Sequence, residues 1–197
     1  MRNPPASDSV PSGRTRAARP GKPAWLKELW DWAKALAVAA VVVIVLQVYV
    51  FQLSKVKSVS MQPTLYEREW LFINKIAYEF GHPKRGDVVI LKDPSEGADK
   101  KKLLVKRVIG VPGDTVEVRD GQLYVNGRLE VEAYTDSAIE DGDFKRVTVD
   151  AGHYFVMGDN RRLGASKDSR IFGEVPEKTI KGQAELILWP IARWRRL

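Results

Sequence analysis

The amino-acid sequence predicts a mainly β protein, in which an antiparallel sheet follows one N-terminal membrane-spanning helix. Three observations support this fold class. Residues 35–53 form a run of 19 residues without a charged side chain. After this run, the chain consists of short segments that are rich in β-branched residues and separated by turn residues. Beyond residue 54, no long stretch combines helical periodicity with capping residues.

The uncharged run is long enough to cross a bilayer as a helix. Its 19 residues would rise about 28 Å, which approaches the roughly 30 Å hydrocarbon core. Aromatic residues cluster at both ends, as is typical of membrane interfaces: Trp25, Trp30, Trp32, Tyr49 and Phe51. A buried strand is shorter, and a cleavable signal peptide has a shorter apolar stretch followed by small residues. We therefore predict an uncleaved signal-anchor helix over residues 24–53.

Basic residues are concentrated on the N-terminal side of this helix. Residues 1–34 carry seven Lys and Arg against three Asp and Glu. The positive-inside rule therefore predicts a cytoplasmic N-terminus and an extracytoplasmic β-rich domain over residues 54–197. Residues 1–23 contain no aromatic residue, Ile or Leu, so we predict a disordered basic tail in the cytoplasm.

The composition excludes several classes of function. The chain has no cysteine, which excludes disulfides and cysteine-based metal or nucleophile chemistry. With only His82 and His153, we expect no histidine-rich metal site and no metal cofactor. The net charge is +7, but most of this surplus lies in the tail. Because the later basic residues are interspersed with acidic ones, we expect no nucleic-acid partner.

The predicted strands are short. They cover residues 70–74, 87–92, 103–111, 115–119, 123–125, 146–149, 153–157 and 185–188. Asp120-Gly121 and Asn126-Gly127 predict tight hairpin turns on either side of residues 123–125. Segments 94–102 and 131–145 are polar, charged and contain glycine, so we predict loops or an edge insertion there.

Lys106 and Arg107 interrupt the otherwise apolar strand predicted over residues 103–111. Because successive side chains of a strand point to opposite faces, at least one of the two cations meets a largely apolar face. A desolvated lysine loses its proton more easily and can then act as a general base near neutral pH. The alternative is that both side chains lie at a sheet edge and extend into water.

Two further segments carry polar residues in an unusual setting. Residues 58–65 place two serines directly after the membrane helix, and residues 157–170 combine glycines with Asp, Asn, Ser and Arg. Taken separately, the first segment is typical of a turn or strand end. The second is typical of a surface turn held by Asp–Arg pairs.

Taken together, these segments resemble the conserved boxes of bacterial type I signal peptidases, which are membrane-anchored serine proteases. The matching segments are Ser-Val-Ser-Met-Gln-Pro-Thr-Leu (58–65), Arg-Gly-Asp-Val-Val (85–89), Lys-Arg-Val-Ile-Gly with Pro-Gly-Asp (106–114), Gly-Asp-Asn-Arg (158–161) and Ser-Lys-Asp-Ser-Arg (166–170). They stand in the family order and cover residues from about 30 to 173. The resemblance implies an antiparallel, partly open barrel as the catalytic domain.

The resemblance also implies a role for each residue. Ser60 would be the nucleophile and Lys106 its general base. The hydroxyl of Ser58 and the backbone N–H of Ser60 would form the oxyanion hole. Ser166 would hydrogen-bond the Lys106 amine and orient it. The remaining residues would line the substrate pockets (Met61, Leu65, Val105) or form a supporting ion-pair network (Asp159, Asp168, Arg107, Arg170).

The chain departs from the family pattern in its last box. Residues 162–165 separate Gly-Asp-Asn-Arg from Ser166, which is two residues more than the family usually has. The Ser-x-Asp-Ser-Arg end is intact, so we align Ser166 by that end.

The implied function is removal of N-terminal signal peptides from exported preproteins, after small residues of the Ala-x-Ala type, at the bacterial cytoplasmic (inner) membrane. The partners would be signal peptides and membrane lipid, and no cofactor is implied. Two alternatives remain open at this point. One is a related Ser/Lys peptidase that cleaves itself or one dedicated partner. The other is a membrane-tethered β-domain that binds peptides without catalysis.

Overall fold

The computed structural model describes residues 24–95 and 102–197. The tail predicted for residues 1–23 and most of the loop predicted for residues 94–102 therefore lie outside the described residues.

Helix α1 (Ala24–Tyr49) has 26 residues and is long and apolar enough to cross a bilayer. Its large apolar side chains are exposed, which suits a helix that contacts lipid rather than a protein core. The helix ends at Tyr49, whereas the sequence predicts its end at residue 53. Residues 51–55 form strand β1 instead, because their backbone pairs in register with residues 70–74.

The described residues contain twelve strands, one further short α-helix, α2 (Ser169–Phe172), and three single-turn 3₁₀ helices. The strands are β1 (Phe51–Lys55), β2 (Trp70–Asn74), β3 (Val88–Lys92), β4 (Leu103–Gly110), β5 (Thr115–Arg119), β6 (Gln122–Val125), β7 (Arg128–Leu129), β8 (Phe144–Thr148), β9 (His153–Met157), β10 (Val175–Pro176), β11 (Ile180–Trp189) and β12 (Arg195–Arg196).

These strands form two antiparallel sheets. The larger sheet has the order β1-β2-β11-β3-β4-β9-β10, with β12 paired to β11, and it curls into a half-barrel. The smaller sheet has the order β7-β6-β5-β8. The predicted fold class, mainly β with a partly open antiparallel barrel behind one apolar helix, is confirmed.

The two tight turns predicted from Asp-Gly and Asn-Gly pairs are confirmed. They join β5 to β6 and β6 to β7. Asp120 and Gly121 have φ angles of 49° and 71°, and Asn126 and Gly127 have 54° and 75°. Positive φ at both central residues is what a type I′ hairpin turn requires, and Asn, Asp and Gly adopt it most readily.

Strand β11 is the longest strand and begins five residues before its predicted start at residue 185. Its first half pairs with β3 and contains a bulge between Ile180 and Gly182. The sequence does not predict this half as a strand, because it contains the polar residues Lys181 and Gln183 with a glycine between them. The two-residue strands β7, β10 and β12 are too short to produce any sequence pattern.

Strand β3 lies in the middle of the larger sheet and is buried on both faces. Val88 and Ile90 belong to one core cluster, while Val89 and Leu91 belong to another. The register of β3 and β4 places Val88 opposite Arg107 and Val89 opposite Lys106. Both cations of β4 therefore lie beside buried residues of β3 and not at a sheet edge.

Candidate active site

Residues 58–65, which we call the nucleophile turn, present Ser60 beside the core. Hydrogen bonds from Gln62 N to Val59 O, at 3.1 Å, and from Leu65 N to Met61 O, at 2.8 Å, define the turn. Met61 and Leu65 are 1% and 0% exposed and anchor it in a core cluster. Ser60 itself is 6% exposed.

Lys106 reaches this serine from β4. Its Nζ donates a hydrogen bond to Ser60 Oγ at 2.7 Å, across 46 residues of sequence. The lysine is 2% exposed. The structure therefore brings together the two residues that the sequence predicts as nucleophile and base.

The environment of Lys106 favours its neutral form. Burial lowers the pKa of Lys106 to about 8, although the carboxylates of Asp168 and Asp159 act in the opposite direction. A buried amine loses its proton more readily because the ammonium ion loses its hydration. Near pH 8 a large fraction of Lys106 is thus neutral and able to accept the proton of the Ser60 hydroxyl.

The loop of residues 158–161 holds the backbone of the nucleophile turn. Asn160 N donates to Ser60 O at 3.1 Å, and Asn160 Nδ2 donates to Val59 O at 3.1 Å. A side chain on Gly158 would not fit, because its Cβ would lie 2.3 Å from both Ser60 O and Ser166 Oγ. Asn160 and Gly158 belong to a box that the sequence identifies, but their contacts with the turn are not predicted from it.

Ser166 is buried next to the nucleophile turn, but its hydroxyl has a different partner from the predicted one. Ser166 Oγ donates to Asp168 Oδ2 at 2.8 Å, whereas the sequence predicts a hydrogen bond with the Lys106 amine. The carboxylate takes the single hydroxyl proton because it is a charged acceptor. Ser166 Oγ can then still accept a hydrogen bond from an amine through its lone pairs.

The lengthened part of this loop does not displace Ser166. Residues 162–165 form a turn, closed by a hydrogen bond from Ala165 N to Arg162 O at 3.0 Å. Leu163 in this turn is 74% exposed. The backbone N–H groups of Leu163 and Gly164 donate to Glu140 and Asp141 at 3.0 and 2.7 Å. The additional residues therefore extend outward.

Ser58 lies at the start of the nucleophile turn and is exposed. Its Oγ accepts a hydrogen bond from Ser60 N at 3.3 Å. The two groups predicted to bind an oxyanion are thus adjacent. For both groups to donate to one oxyanion, this hydrogen bond must break and the Ser58 side chain must rotate away from the Ser60 N–H.

The three residues predicted to line substrate pockets occupy the core. Met61 and Leu65 are buried in one cluster, and Val105 packs against the same cluster while partly buried. In the strand alternation of β4, Val105 lies on the face opposite to Lys106. Their role in pockets stays a prediction.

The four residues predicted as an ion-pair network form two separate pairs. Arg107 binds Asp159 with two hydrogen bonds of 2.8 and 2.6 Å, and Arg170 binds Asp168 with two of 2.9 Å. Thr64 Oγ1 in the nucleophile turn donates to Asp159 Oδ2 at 2.5 Å. One pair therefore holds the nucleophile turn, and the other holds Ser166.

The charge of Asp168 is maintained by its neighbours. Burial alone would raise the pKa of Asp168, but the hydrogen bonds and charge of Arg170, with the Ser166 hydroxyl and the Gly158 N–H, lower it below its usual value. The carboxylate is therefore ionised wherever Lys106 titrates.

Segment 131–145 contributes supporting contacts that the sequence does not predict. Glu132 binds the fully buried Arg161 with both carboxylate oxygens, and Arg161 Nε donates to Gly158 O at 2.8 Å. The guanidinium of Arg107 lies 3.9 Å from the ring centroid of Tyr134. One feature of the sequence points to these contacts. Residues 158–170 contain three arginines and only two aspartates, so a buried arginine there needs an acidic partner from another segment.

Comparison with known proteins places these residues in one family. The model described as "Signal peptidase, peptidase S26" matches residues 29–189. Signal peptidase I P of Bacillus subtilis subsp. natto is 40% identical over 175 residues, which cover 84% of this chain and 91% of that protein. Signal peptidase IB of Staphylococcus aureus is 35% identical over 186 residues, which cover 86% and 94%. The matched region contains every segment of the candidate site.

Among solved structures, a signal peptidase I from Enterococcus faecalis V583 is 34% identical to this chain. The superposition covers 51% of this chain and 95% of that chain, with a TM-score of 0.43.

The close approach at Gly158 generates a prediction. Gly158→Ala introduces a methyl group against the backbone oxygen of Ser60, so the loop and the nucleophile turn must separate. We expect the free energy of unfolding, measured by denaturant titration, to fall by about 1–3 kcal/mol. Gly81→Ala is the control, because a Cβ there would lie 3.5 Å from Ala77 O. Equal stability of the two variants would contradict the packing at Gly158.

Proposed function

Since the chain belongs to the signal peptidase family, peptidase S26, we propose that Ser60 and Lys106 perform its catalysis as a Ser/Lys dyad. The chain is a membrane-bound serine endopeptidase that removes signal peptides. The observation that carries the dyad is the 2.7 Å hydrogen bond between Lys106 Nζ and Ser60 Oγ in a buried site.

Catalysis begins when neutral Lys106 accepts the Ser60 proton as Ser60 Oγ attacks the scissile carbonyl. The Ser60 N–H and the Ser58 hydroxyl donate to the resulting oxyanion. Lys106, now an ammonium ion, protonates the departing amine of the mature protein and leaves an acyl-enzyme on Ser60. Lys106 then removes a proton from the water that hydrolyses this ester.

The substrate is the extended C-terminal end of a signal peptide, which adds as a strand beside the Ser60 and Lys106 segments. Small residues at P1 and P3, typically alanine, enter shallow apolar pockets formed in part by Met61, Leu65 and Val105. Ser166, whose proton is held by Asp168, accepts a hydrogen bond from Lys106 and orients the amine. The supporting pairs keep this arrangement in place.

The anchor helix holds the enzyme in the membrane from which its substrates emerge. Because residues 1–34, which precede the uncharged run, carry seven Lys and Arg against three Asp and Glu, the N-terminus lies in the cytoplasm of a bacterial cell. The helix then spans the cytoplasmic membrane once. The catalytic domain is extracytoplasmic, where it meets signal peptides emerging from the export machinery and contacts membrane lipid.

The first test removes each member of the dyad. Ser60→Ala and Lys106→Met are expected to abolish cleavage of a preprotein with an Ala-x-Ala site, while the folded state persists by circular dichroism. Methionine preserves the packing of the buried lysine stem. The wild-type chain should cleave once, after the second alanine. Normal cleavage by either variant would overturn the dyad.

The same assay separates the two alternative functions. A peptide-binding domain would bind the preprotein without cleaving it. A peptidase for itself or for one dedicated partner would leave the preprotein intact and cleave only its own target.

Ser58→Ala tests the oxyanion hole. We expect kcat to fall by about 10²–10³ with little change in KM, because the lost hydrogen bond forms only in the transition state. Ser54→Ala, four residues upstream in β1, serves as the matched control. If both variants keep the wild-type kcat, the Ser58 side chain has no part in the chemistry.

The pH dependence follows from the lowered pKa of Lys106, about 8. The active form is the neutral amine, so kcat/KM should rise with pH, with a gain of about tenfold per unit below the pKa and a plateau above it. A lysine with an ordinary pKa, about 10.4, would keep the rate rising past pH 9. A rate that decreases as pH rises from roughly 6 to 8 would contradict the base role.

A further inference from the structure

We propose that residues 190–197, here called the clasp, position the nucleophile turn for catalysis, with Arg195 and Arg193 as the positioning residues. The inference rests on the proposed role of Ser60. It assigns a function to side chains that lie outside every segment of the family pattern described above.

Arg195 contacts the nucleophile turn directly. Its Nη2 donates to the backbone oxygen of Thr64 at 2.7 Å, and Arg193 Nη2 donates to the same oxygen at 3.4 Å. The side chain of the same threonine makes a second contact, in which the Thr64 hydroxyl donates to Asp159. Thr64 thus joins the clasp to the buried Arg107–Asp159 pair, four residues after Ser60.

Arg193 holds the chain that follows the turn. Its Nε lies 2.7 Å from Glu69 Oε1, and Glu69 is buried. The other carboxylate oxygen of Glu69 accepts from Tyr66 N at 2.9 Å. The Arg193 guanidinium also lies 4.2 Å from the Tyr66 ring centroid, so one side chain contacts both Tyr66 and Glu69.

The clasp is itself fixed to the sheet. Strand β12 pairs with β11 at Leu186 and Ile187, and Leu197 N donates to Glu185 O at 2.9 Å. The Leu197 side chain packs against the cluster that contains Met61. Arg195 therefore extends from a strand that is paired to the sheet, which is the arrangement that a precise site requires.

The nucleophile turn needs such support because it lies outside the sheets. It is part of a longer loop, residues 57–68, which two backbone hydrogen bonds close: Val56 N donates to Glu69 O at 2.8 Å, and Arg68 N donates to Val56 O at 2.9 Å. Between these points, residues 57–68 form no strand. Asn160 binds the first half of the turn through Val59 and Ser60, and the clasp binds the second half.

Loss of the clasp contact should therefore affect the rate more than substrate binding. A displacement of about 1 Å at a reacting group costs up to about 10²-fold in rate. Water can partly replace an exposed guanidinium, so we expect Arg195→Gln to lower kcat about tenfold, with KM within about twofold.

The test compares Arg195→Gln with Arg196→Gln in the full chain, in detergent, on a preprotein with an Ala-x-Ala site. Among the described residues, the side chains that donate to the Thr64 carbonyl are those of Arg195 and Arg193. Arg196→Gln removes the same charge from the adjacent position without removing these hydrogen bonds. It should keep kcat within about twofold of wild type. Arg195→Lys retains one charged donor and should recover part of the rate.

Three results decide between the possibilities. A selective fall in kcat for Arg195→Gln, with unchanged thermal stability and an unchanged pH profile, supports the clasp. Equal kcat for the two glutamine variants, or a loss confined to KM, overturns the clasp while leaving the proposed function intact. Failure of the wild-type chain to cleave the preprotein overturns the proposed function and the clasp with it.

Discussion

The burial of one amine is the constraint on which the rest of the structure depends. Lys106 lies on a strand whose neighbour, β3, is buried on both faces, so its ammonium form has little access to water. Among the residues that the structure describes, no carboxylate binds the Lys106 amine directly, and its hydrogen-bond partner is Ser60 Oγ. The nearby carboxylates of Asp159 and Asp168 are each bound by an arginine, which limits their stabilisation of the ammonium.

Two kinds of support surround this amine. The sheet fixes Lys106 through backbone pairing on both sides of β4. The nucleophile turn has no such ladder and is held by individual contacts from Asn160, Asp159 and the clasp. Lys106 thus occupies the rigid part of the site, and Ser60 is fixed by side chains that come from distant parts of the sequence.

The sequence predicts most of the sheet because alternation and turn chemistry are local. Residues 70–74, 115–119 and 153–157 are strands with the predicted bounds. Strand β1 is not predicted, since residues 51–55 continue an apolar run and only pairing with β2 separates them from the helix. The first half of β11 is polar in sequence, and the core that buries Ile180 and Ala184 becomes visible only in three dimensions.

In the candidate site, too, some features could be predicted from the sequence and others depend on contacts between distant residues. The pairing of Ser60 with Lys106 is implied by the family resemblance, and both residues meet in the structure. The contacts of Glu132 with Arg161 and of Arg195 with Thr64 join residues 29 and 131 positions apart. No local pattern encodes such contacts. The Ser166 hydroxyl donates its proton to Asp168, two residues away, and this contact is not part of the predicted role of Ser166.

The exposed turn of residues 162–165 has a practical consequence. It follows the loop of residues 158–161 and ends before Ser166, and Leu163 at its tip is exposed to solvent. A reporter group attached at this tip would lie three residues before Ser166 in the sequence, while leaving the buried contacts of Ser166 and Asp168 untouched. The length variation of this chain therefore marks a position where the enzyme can be labelled, so that docking of a preprotein could be followed by fluorescence.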